Sequence, residues 1–284
     1  MKTQLKELIK PVRKTIYNLT GKKPWSYGYN DTRWQKIYDT LRNSNLVNQF
    51  AKGVIPEKFG IGFDERIVEY PWIFSKLNKT KFSQILDAGS TFNFAEIVNH
   101  EYFNEQELTI FTFYPEPVNF IAKRISYVFG DLRKMPFQQN YYDQIICQST
   151  IEHIDMDNSI YGYEINKNED TNKKSYEYLN VVEELIRVLN KGGKLLLTFP
   201  YGKFEHHGFF QQFDAEMVSK IKEKLAVEGQ FTDQYLQYFT NDWKFSNASN
   251  CKNSVSYNPH TGKGKGNDGA AHCRAICCVE FIKN

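Results

Sequence analysis

The chain has 284 residues, 41% of them hydrophobic, and its 36 basic and 33 acidic residues leave a formal net charge of +3 at pH 7. This composition indicates a globular protein with a large core, and a charge so close to zero gives no reason to expect a nucleic-acid partner. No apolar stretch approaches the roughly 20 residues of a membrane-spanning helix, and no signal peptide is predicted because Lys6 and Lys10 interrupt the apolar runs near the N-terminus. We therefore expect a cytoplasmic protein with reduced cysteines.

Residues 1–64 show no strand pattern, and we predict a helical and aromatic extension there. Apolar residues recur at helical spacing among lysines and arginines, at Leu5, Ile9, Val12 and Ile16. Pro11 is expected to break or kink that helix. The pattern favours a solvated helix at the edge of the core. The alternative is peripheral contact between the basic N-terminus and an anionic membrane surface.

Residues 65–284 alternate between predicted strands and helices. Strands are predicted at 82–87, 108–113, 127–131, 144–148, 194–199, 235–239 and 273–282. The clearest helix, 176–189, should end at Gly192 and Gly193, and Asp214 should cap a helix that reaches Leu225. The alternation predicts an α/β fold, a Rossmann-like, doubly wound, mostly parallel sheet of seven strands with helices on both faces.

In such a sheet the ligand lies beyond the carboxyl ends of the strands, near the point where the strand order reverses. The first predicted strand ends in Asp87, and the turn after it keeps one glycine, Gly89, where nucleotide-binding turns commonly have two or three. Asp131 ends the third predicted strand, and the fourth leads into residues 148–153. These strand ends are where we expect a binding site.

Five segments, taken in order, resemble the motifs of the class I S-adenosylmethionine-dependent methyltransferases, in a methyltransferase type 11-like pattern with a divergent first motif. The segments are residues 85–90, 130–137, 142–147, 149–154 and 183–193. The resemblance covers about residues 65–284, which form the predicted methyltransferase-like domain after the extension of residues 1–64. It implies S-adenosyl-L-methionine as the cofactor and methyl transfer as the reaction.

The resemblance also implies roles for individual residues. Gly89 would let the backbone approach the amino-acid end of the cofactor, and Asp87 would anchor the amino group there. Asp131 would accept a hydrogen bond from the adenine amino group, and the backbone of Leu132 would contact the adenine ring. The full set of expected cofactor-binding residues is Asp87, Gly89, Ser90, Thr112, Glu116, Asp131, Leu132 and Gln148.

The chain departs from the family pattern in two places. Thr91 and Asn93 stand where the family has further glycines, and we expect them to narrow the turn. Thr112 occupies the end of the second predicted strand, where the family usually has a carboxylate that binds both ribose hydroxyls. Glu116 would replace that carboxylate if its loop folds back toward the turn.

Methyl transfer to a hydroxyl benefits from a general base. His153, in the loop after the fourth predicted strand, is the first candidate, and His206 and His207, after the fifth, are candidates for a base or for acceptor contact. No metal site is predicted. Cys277 and Cys278 would point to opposite faces of a strand, which disfavours a zinc site at the C-terminus.

The sequence therefore predicts an S-adenosylmethionine-dependent methyltransferase, with O-methylation of a small-molecule or sugar/glycan-type acceptor as the favoured reaction. After the fourth predicted strand, residues 148–151 read Gln-Ser-Thr-Ile instead of the Asn-Pro-Pro signature for base amino groups. The alternative is a catalytically inactive methyltransferase-fold protein that acts as a binding or scaffold subunit. A nicotinamide-dependent enzyme ranks third, because the Gly-x-Gly-x-x-Gly spacing is missing.

Overall fold

The structure, a computed structural model, describes the backbone of residues 2–162 and 173–284 and, within that range, the side chains from Ile9 onward. The strands are β1 (Gln84–Ala88), β2 (Glu107–Thr112), β3 (Ser126–Phe129), β4 (Tyr142–Gln148), β5 (Leu189–Pro200), β6 (Glu205–His206), β7 (Gln211–Gln212), β8 (Gly229–Phe239), β9 (Asp242–Ser246) and β10 (Ala275–Lys283). The α-helices are α1 (Lys2–Leu19), α2 (Tyr29–Leu41), α3 (Ser44–Ala51), α4 (Arg66–Lys76), α5 (Ala95–Val98), α6 (Tyr178–Val188), α7 (Ala215–Glu228) and α8 (Ala248–Cys251).

The central sheet confirms the predicted α/β class. Its strands lie in the order β3-β2-β1-β4-β5-β10-β8-β9, while β6 and β7 form a separate two-stranded hairpin. The first five strands of the chain pair in parallel, and β10 runs antiparallel to both β5 and β8. From β1 the chain passes to β2 on one side and later returns to β4 on the other. The strand order therefore reverses between β1 and β4, where a ligand crevice is expected.

The sheet has eight strands rather than the predicted seven, because β9 was not predicted. β9 pairs with β8 as an antiparallel hairpin, and its two turn residues, Thr240 and Asn241, both have positive φ angles, of 51° and 69°. Such angles are those of a tight hairpin turn, but the usual signal for it is a glycine. Residues 242–246 do alternate, with Trp243 and Phe245 between polar Asp242, Lys244 and Ser246, so a strand pattern was present here that the prediction missed.

Two hydrophobic layers cover the sheet, one on each face. On one face α6 and α7 pack against strand residues that include Cys147, Leu197 and Cys277. On the other face the N-terminal helices and α4 pack against Ile146 and Cys278 among others. Cys277 and Cys278 therefore point to opposite faces, as the strand alternation predicts. All five cysteines lie within the described residues, and each is buried as a free thiol.

The N-terminal helices belong to the second layer. α1 continues through Pro11 as one helix of 18 residues, so the prediction that Pro11 breaks it is wrong. The buried rings of Tyr17, Tyr29 and Phe63 lie with their centroids 5.6–6.0 Å apart. Much of the aromatic segment thus belongs to the hydrophobic core. The division into two domains at residue 64 stays a prediction, and so does a membrane contact of the N-terminus. Among the described helices, none has the length and apolar character that a bilayer crossing requires.

The end of α6 differs from the prediction. The helix stops at Val188, and Leu189 is already extended and paired with Tyr142 of β4. Gly192 and Gly193 therefore lie within the following β5 segment and do not end the helix. A side chain at Gly193 would place its Cβ 2.8 Å from the Asn190 carbonyl oxygen, which explains the glycine there.

The predicted cap of α7 is present and can be tested. Asp214 accepts a hydrogen bond from the Met217 backbone N–H at 3.1 Å, and its carboxylate also lies 2.7 Å from the Lys174 ammonium. We expect Asp214→Ala to lower the free energy of unfolding in urea by about 1 kcal/mol, because an N-terminal N–H of the helix loses its partner. Asp214→Asn keeps a side-chain oxygen that can accept this hydrogen bond, so it should lower the free energy of unfolding much less. Equal losses in the two variants would show that the charge, not the cap, matters.

Candidate functional site

A cavity of about 740 Å³ opens at the carboxyl ends of β1, β2, β3 and β4, beside the reversal of strand order. Its volume lies in the range of ligand sites. Strand-end segments line the cavity with residues 89–91, 112–117, 130–133 and much of 149–158. Residues from other parts of the chain line it as well, namely Trp25, Arg33, Trp34, residues 64–66, Phe209, Pro259, His260 and His272. The cavity therefore joins the predicted strand-end residues to others that were not among the predicted site residues.

Asp87 organises the turn after β1 from beneath the cavity. The carboxylate is fully buried and accepts hydrogen bonds from the Thr91 N–H and hydroxyl, both at 3.1 Å, and from the Phe92 N–H at 2.7 Å. Burial raises the pKa of Asp87 to about 7, against the lowering effect of these hydrogen bonds. The carboxylate holds the turn from beneath the residues that line the cavity, and a contact with a ligand amino group, directly or through water, stays a prediction.

Gly89 and Ser90 form the part of the turn that lines the cavity. Gly89 has a φ of 125°, and an added Cβ would lie 2.2 Å from the Thr150 hydroxyl oxygen. The missing side chain thus makes room for Thr150 of the same chain, whereas we expected it to make room for the cofactor. Ser90 is also in the left-handed region, with a φ of 61°, and its buried hydroxyl has no hydrogen-bond partner among the described residues. That hydroxyl is an unsatisfied polar group at the wall of the cavity.

Asn93 connects the turn to the loop after β2. Its side-chain amide donates to Glu116 Oε2 at 2.8 Å and to the Val118 carbonyl at 2.9 Å, while its oxygen accepts from the Tyr127 hydroxyl at 2.9 Å. The loop after β2 therefore does fold back, and it brings Glu116 to the cavity next to Thr112. The two non-glycine residues expected to narrow the turn, Thr91 and Asn93, instead supply the hydrogen bonds that hold it.

Asp131 lies at the wall of the cavity beside Leu132 and Arg133. The Arg133 side chain bonds both carboxylate oxygens, with its Nη2 at 2.7 Å from Oδ2, and the Arg133 backbone N–H donates to Oδ1 at 2.8 Å. Partial burial by itself would raise the pKa of Asp131, but these hydrogen bonds and the guanidinium charge outweigh it and hold the pKa below its ordinary value. Asp131 is therefore an ionised acceptor at the cavity wall.

Glu69 fastens α4 to the ends of β4 and β5. Its fully buried carboxylate accepts hydrogen bonds from the Ser149 hydroxyl at 2.5 Å, the Thr198 hydroxyl at 2.6 Å and the Gln148 amide at 3.2 Å. Gln148, expected to contact the cofactor, thus faces Glu69 and does not line the cavity. Arg66 lies one turn earlier on the helix, with its Nε 3.9 Å from Glu69 Oε2, and it does line the cavity.

His153 lines the cavity as predicted, but its environment makes it a weak base. Its Nδ1 donates to the Phe209 carbonyl oxygen at 2.7 Å, since a carbonyl can only accept, and its Nε2 lies 4.0 Å from Glu152 Oε1. Burial lowers the pKa of His153 to about 4, although the bond to Phe209 opposes the shift. Burial also raises the pKa of Glu152 well above its usual range.

His206 and His207 lie outside the residues that line the cavity. They belong to the hairpin of β6 and β7, where His207 Nε2 is 3.0 Å from the Ser256 hydroxyl and 3.5 Å from Glu205 Oε2. The His207 ring also stacks on Phe210, with centroids 4.7 Å apart and planes 11° from parallel. This geometry indicates a role in joining the hairpin to the segment around Ser256.

A third histidine lines the cavity where no functional residue was predicted. His272 Nδ1 is 2.8 Å from Glu65 Oε1, and the Cys273 thiol donates to Glu65 Oε2 at 3.3 Å. The three side chains lie within 4.8 Å of one another, but the arrangement is that of two hydrogen bonds to one carboxylate. The available sequence signal was the charged run Asp64-Glu65-Arg66 directly before the buried start of α4, since charges are rarely buried without partners.

The chain aligns with several solved structures. N-methyltransferase NodS from Bradyrhizobium japonicum, solved with S-adenosyl-L-homocysteine, is 11% identical over 88% of this chain and 98% of that chain, with a TM-score of 0.42. Phosphoethanolamine N-methyltransferase 2 from Haemonchus contortus, solved with S-adenosyl-L-methionine, is 11% identical over 87% and 60%, with a TM-score of 0.45. The [4+2]-cyclase SpnF is 12% identical over 87% and 95%, with a TM-score of 0.43.

No protein-family model matches the chain, and no curated protein sequence matches it. The low identities and TM-scores of the aligned structures do not transfer an activity or a ligand from those proteins to this one. The arguments below therefore rest on the residues of this chain.

The contact between Gly89 and Thr150 predicts a specific cost for a small substitution. Gly89→Ala should lower the free energy of unfolding by about 1–3 kcal/mol, because its methyl group overlaps the Thr150 side chain. Thr150→Ala removes the hydroxyl and methyl nearest to that group, so Gly89→Ala should cost less in the Thr150→Ala background. Urea unfolding of the four proteins measures this coupling. Purely additive costs would mean that only the φ of Gly89 matters.

The buried carboxyl of Asp87 predicts a pH dependence of stability. The pKa is raised from 3.8 to about 7 in the folded chain, so the unfolded state loses its proton first and this group destabilises the fold as pH rises from about 4 to about 7. Wild-type protein should therefore lose more unfolding free energy between pH 5 and pH 8 than Asp87→Asn does. Asp39→Asn, at an exposed position of α2, is the control and should behave as the wild type. Equal losses in wild type and Asp87→Asn would contradict the assignment.

Proposed function

We propose that the protein is an S-adenosylmethionine-dependent methyltransferase that methylates a hydroxyl group of a small, polar, sugar-type acceptor. One observation carries the proposal. The turn after β1, the folded-back loop with Glu116 and the ionised Asp131 all meet at one cavity at the carboxyl ends of parallel strands. The turn and the segment with Asp131 belong to the motifs by which the sequence resembles a cofactor site, and Glu116 is the expected replacement for the ribose-binding carboxylate that the chain lacks at the end of β2.

The residues present at the cavity fit the cofactor. In this proposal Glu116 and Thr112, which line the cavity, bind the ribose hydroxyls, and Asp131 with Leu132 binds the adenine. The Ser90 hydroxyl, buried without a partner among the described residues, offers a hydrogen bond to the amino-acid portion. When bound, the cofactor supplies a methyl group activated by a positively charged sulfur. The chain contributes orientation and exclusion of water.

Other residues that line the cavity support a compact polar acceptor. Among them are Trp25 and Trp34 from the N-terminal segment and Phe209 and His260 from the C-terminal half. The Arg33 guanidinium lies 5.5 Å from the centroid of the Trp34 ring and forms an ion pair with Asp64. A mixture of aromatic faces and charged hydrogen-bonding groups suits a molecule with several hydroxyls, such as a sugar.

Binding of S-adenosylhomocysteine, measured by isothermal titration calorimetry, tests the proposal. We expect wild-type protein to bind it and Asp131→Ala to bind it at least about tenfold more weakly, because a hydrogen bond to an ionised carboxylate is lost. Asp39→Ala makes the same change at an exposed site away from the cavity and should bind as the wild type does. Thermal unfolding of each variant checks that folding is retained.

The outcome separates the two functions that the sequence leaves open. No binding at millimolar S-adenosylhomocysteine would overturn the methyltransferase proposal and favour the inactive binding or scaffold subunit. Binding that survives Asp131→Ala unchanged would retain the function but move the adenine away from Asp131. Binding of NADH in place of S-adenosylhomocysteine would favour the nicotinamide-dependent alternative.

A further inference from the structure

Glu65 and His272 form a hydrogen-bonded pair at the cavity wall. Glu65 stands directly before the first residue of α4, yet its side chain does not cap the helix and instead turns to His272 Nδ1 at 2.8 Å. An ionised carboxylate can only accept, so the hydrogen lies on Nδ1. In the neutral ring Nε2 then carries the lone pair. The Cys273 thiol donates to the second carboxylate oxygen and restrains Glu65 from the other side.

The second ring nitrogen of His272 is available for a ligand. His272 lines the cavity, and its Nε2 is buried with no hydrogen-bond partner among the described residues. A buried ring nitrogen that lacks a partner costs free energy unless a ligand satisfies it. An acceptor hydroxyl in the cavity can donate to this lone pair.

The charges around His272 favour its protonated form. Burial by itself would lower the pKa of His272, but the charge and hydrogen bond of Glu65 outweigh burial, Asp64 adds to their effect, and Arg66 opposes it, so the pKa is raised above 6.5. Burial also raises the pKa of the Cys273 thiol well above its usual range, so the thiol stays a donor. His153 and His260 also line the cavity. Burial lowers the pKa of His153 to about 4, which makes it a weak base. The ring of His260 lies edge-on to Phe209, with the ring centroids 5.1 Å apart.

We propose that His272 is the general base of this site, and that Glu65 positions it. This inference rests on the proposed function, since it names the residue that takes the hydroxyl proton of the acceptor in the same reaction. The O–H bond of the acceptor breaks and its proton passes to His272 Nε2. The oxygen forms a bond to the methyl carbon as the carbon–sulfur bond breaks and leaves its electron pair on sulfur. Atoms and charge balance, with S-adenosylhomocysteine, the methylated acceptor and a protonated His272 as the products.

Nitrogen-15 NMR of the histidine rings tests the pair without a known acceptor. The ring signals of His272 are assigned as those that disappear in His272→Gln. In wild-type protein we expect them to show a hydrogen on Nδ1 and, at high pH, no hydrogen on Nε2. The pKa of the ring should lie above 6.5. Glu65→Gln should bring that pKa below 6.5, because the opposing charge is removed. Glu65→Asp keeps the negative charge, so the pKa of His272 should remain partly raised in this variant.

A second measurement, on wild-type protein, tests whether Nε2 faces the reacting centre. S-adenosylmethionine and S-adenosylhomocysteine differ by one methyl group and one positive charge on sulfur. We expect the pKa of His272 to be lower by at least about half a unit in the S-adenosylmethionine complex, since a like charge nearby disfavours the protonated ring. His100, whose Nε2 lies 3.2 Å from the Leu41 carbonyl and which does not line the cavity, should not respond.

Each result has a defined meaning. Hydrogen on Nε2 in place of Nδ1, or a His272 pKa that is equal in the two complexes, would overturn the base assignment while the methyltransferase proposal stands. Failure of both ligands to bind would remove the proposed function and the base role with it. A His272 pKa that lies above 6.5 and is lower in the S-adenosylmethionine complex than in the S-adenosylhomocysteine complex supports the assignment, whatever the acceptor is.

Discussion

The buried carboxylate of Glu69 is the constraint on which the site depends. Removing a carboxylate from water costs free energy unless hydrogen bonds from the protein replace those of water. For Glu69 these hydrogen bonds come from Gln148 and Ser149 at the end of β4 and from Thr198 of β5. These bonds fix α4 against two neighbouring strand ends. Residues three and four positions earlier share a helix face with Glu69, so the same bonds carry Arg66 and Glu65 to the cavity wall. The placement of the Glu65–His272 pair follows from this attachment.

The turn after β1 shows how a divergent motif keeps its shape. Where related turns use further glycines, this one uses the buried Asp87 as the acceptor for Thr91 and Phe92, and Asn93 as the bridge to Glu116. Hydrogen bonds from side chains thus replace backbone freedom as the source of the conformation. The consequence is that Glu116, four residues beyond the end of β2, reaches the place where a ribose-binding carboxylate is expected.

His153 and His272 both line the cavity, and their surroundings shift the pKa of the same side chain in opposite directions. In both, Nδ1 is held by an oxygen acceptor, but the acceptor is a neutral carbonyl for His153 and a carboxylate for His272. Burial dominates in the first case and lowers the pKa, whereas the charge of Glu65 overcomes burial in the second. Pairs of titratable groups whose surroundings shift their pKa values in opposite directions are typical of acid–base sites. The position of His153 after a strand brings it to the cavity, whereas its pKa depends on surroundings that the local sequence does not show.

Local patterns in the sequence predicted seven of the eight strands of the central sheet, the helices α1, α6 and α7, the cap at Asp214 and the gathering of Gly89, Thr112, Glu116 and Asp131 at one edge of a parallel sheet. They did so because strand period, capping and strand-end residues are properties of short segments. Tertiary structure alone decided the remainder. β9 exists because β8 offers it a pairing edge, and α6 ends where Leu189 pairs with Tyr142. Glu65 and His272 are 207 positions apart, and only the packing of α4 beside the loop before β10 brings a carboxylate to that ring.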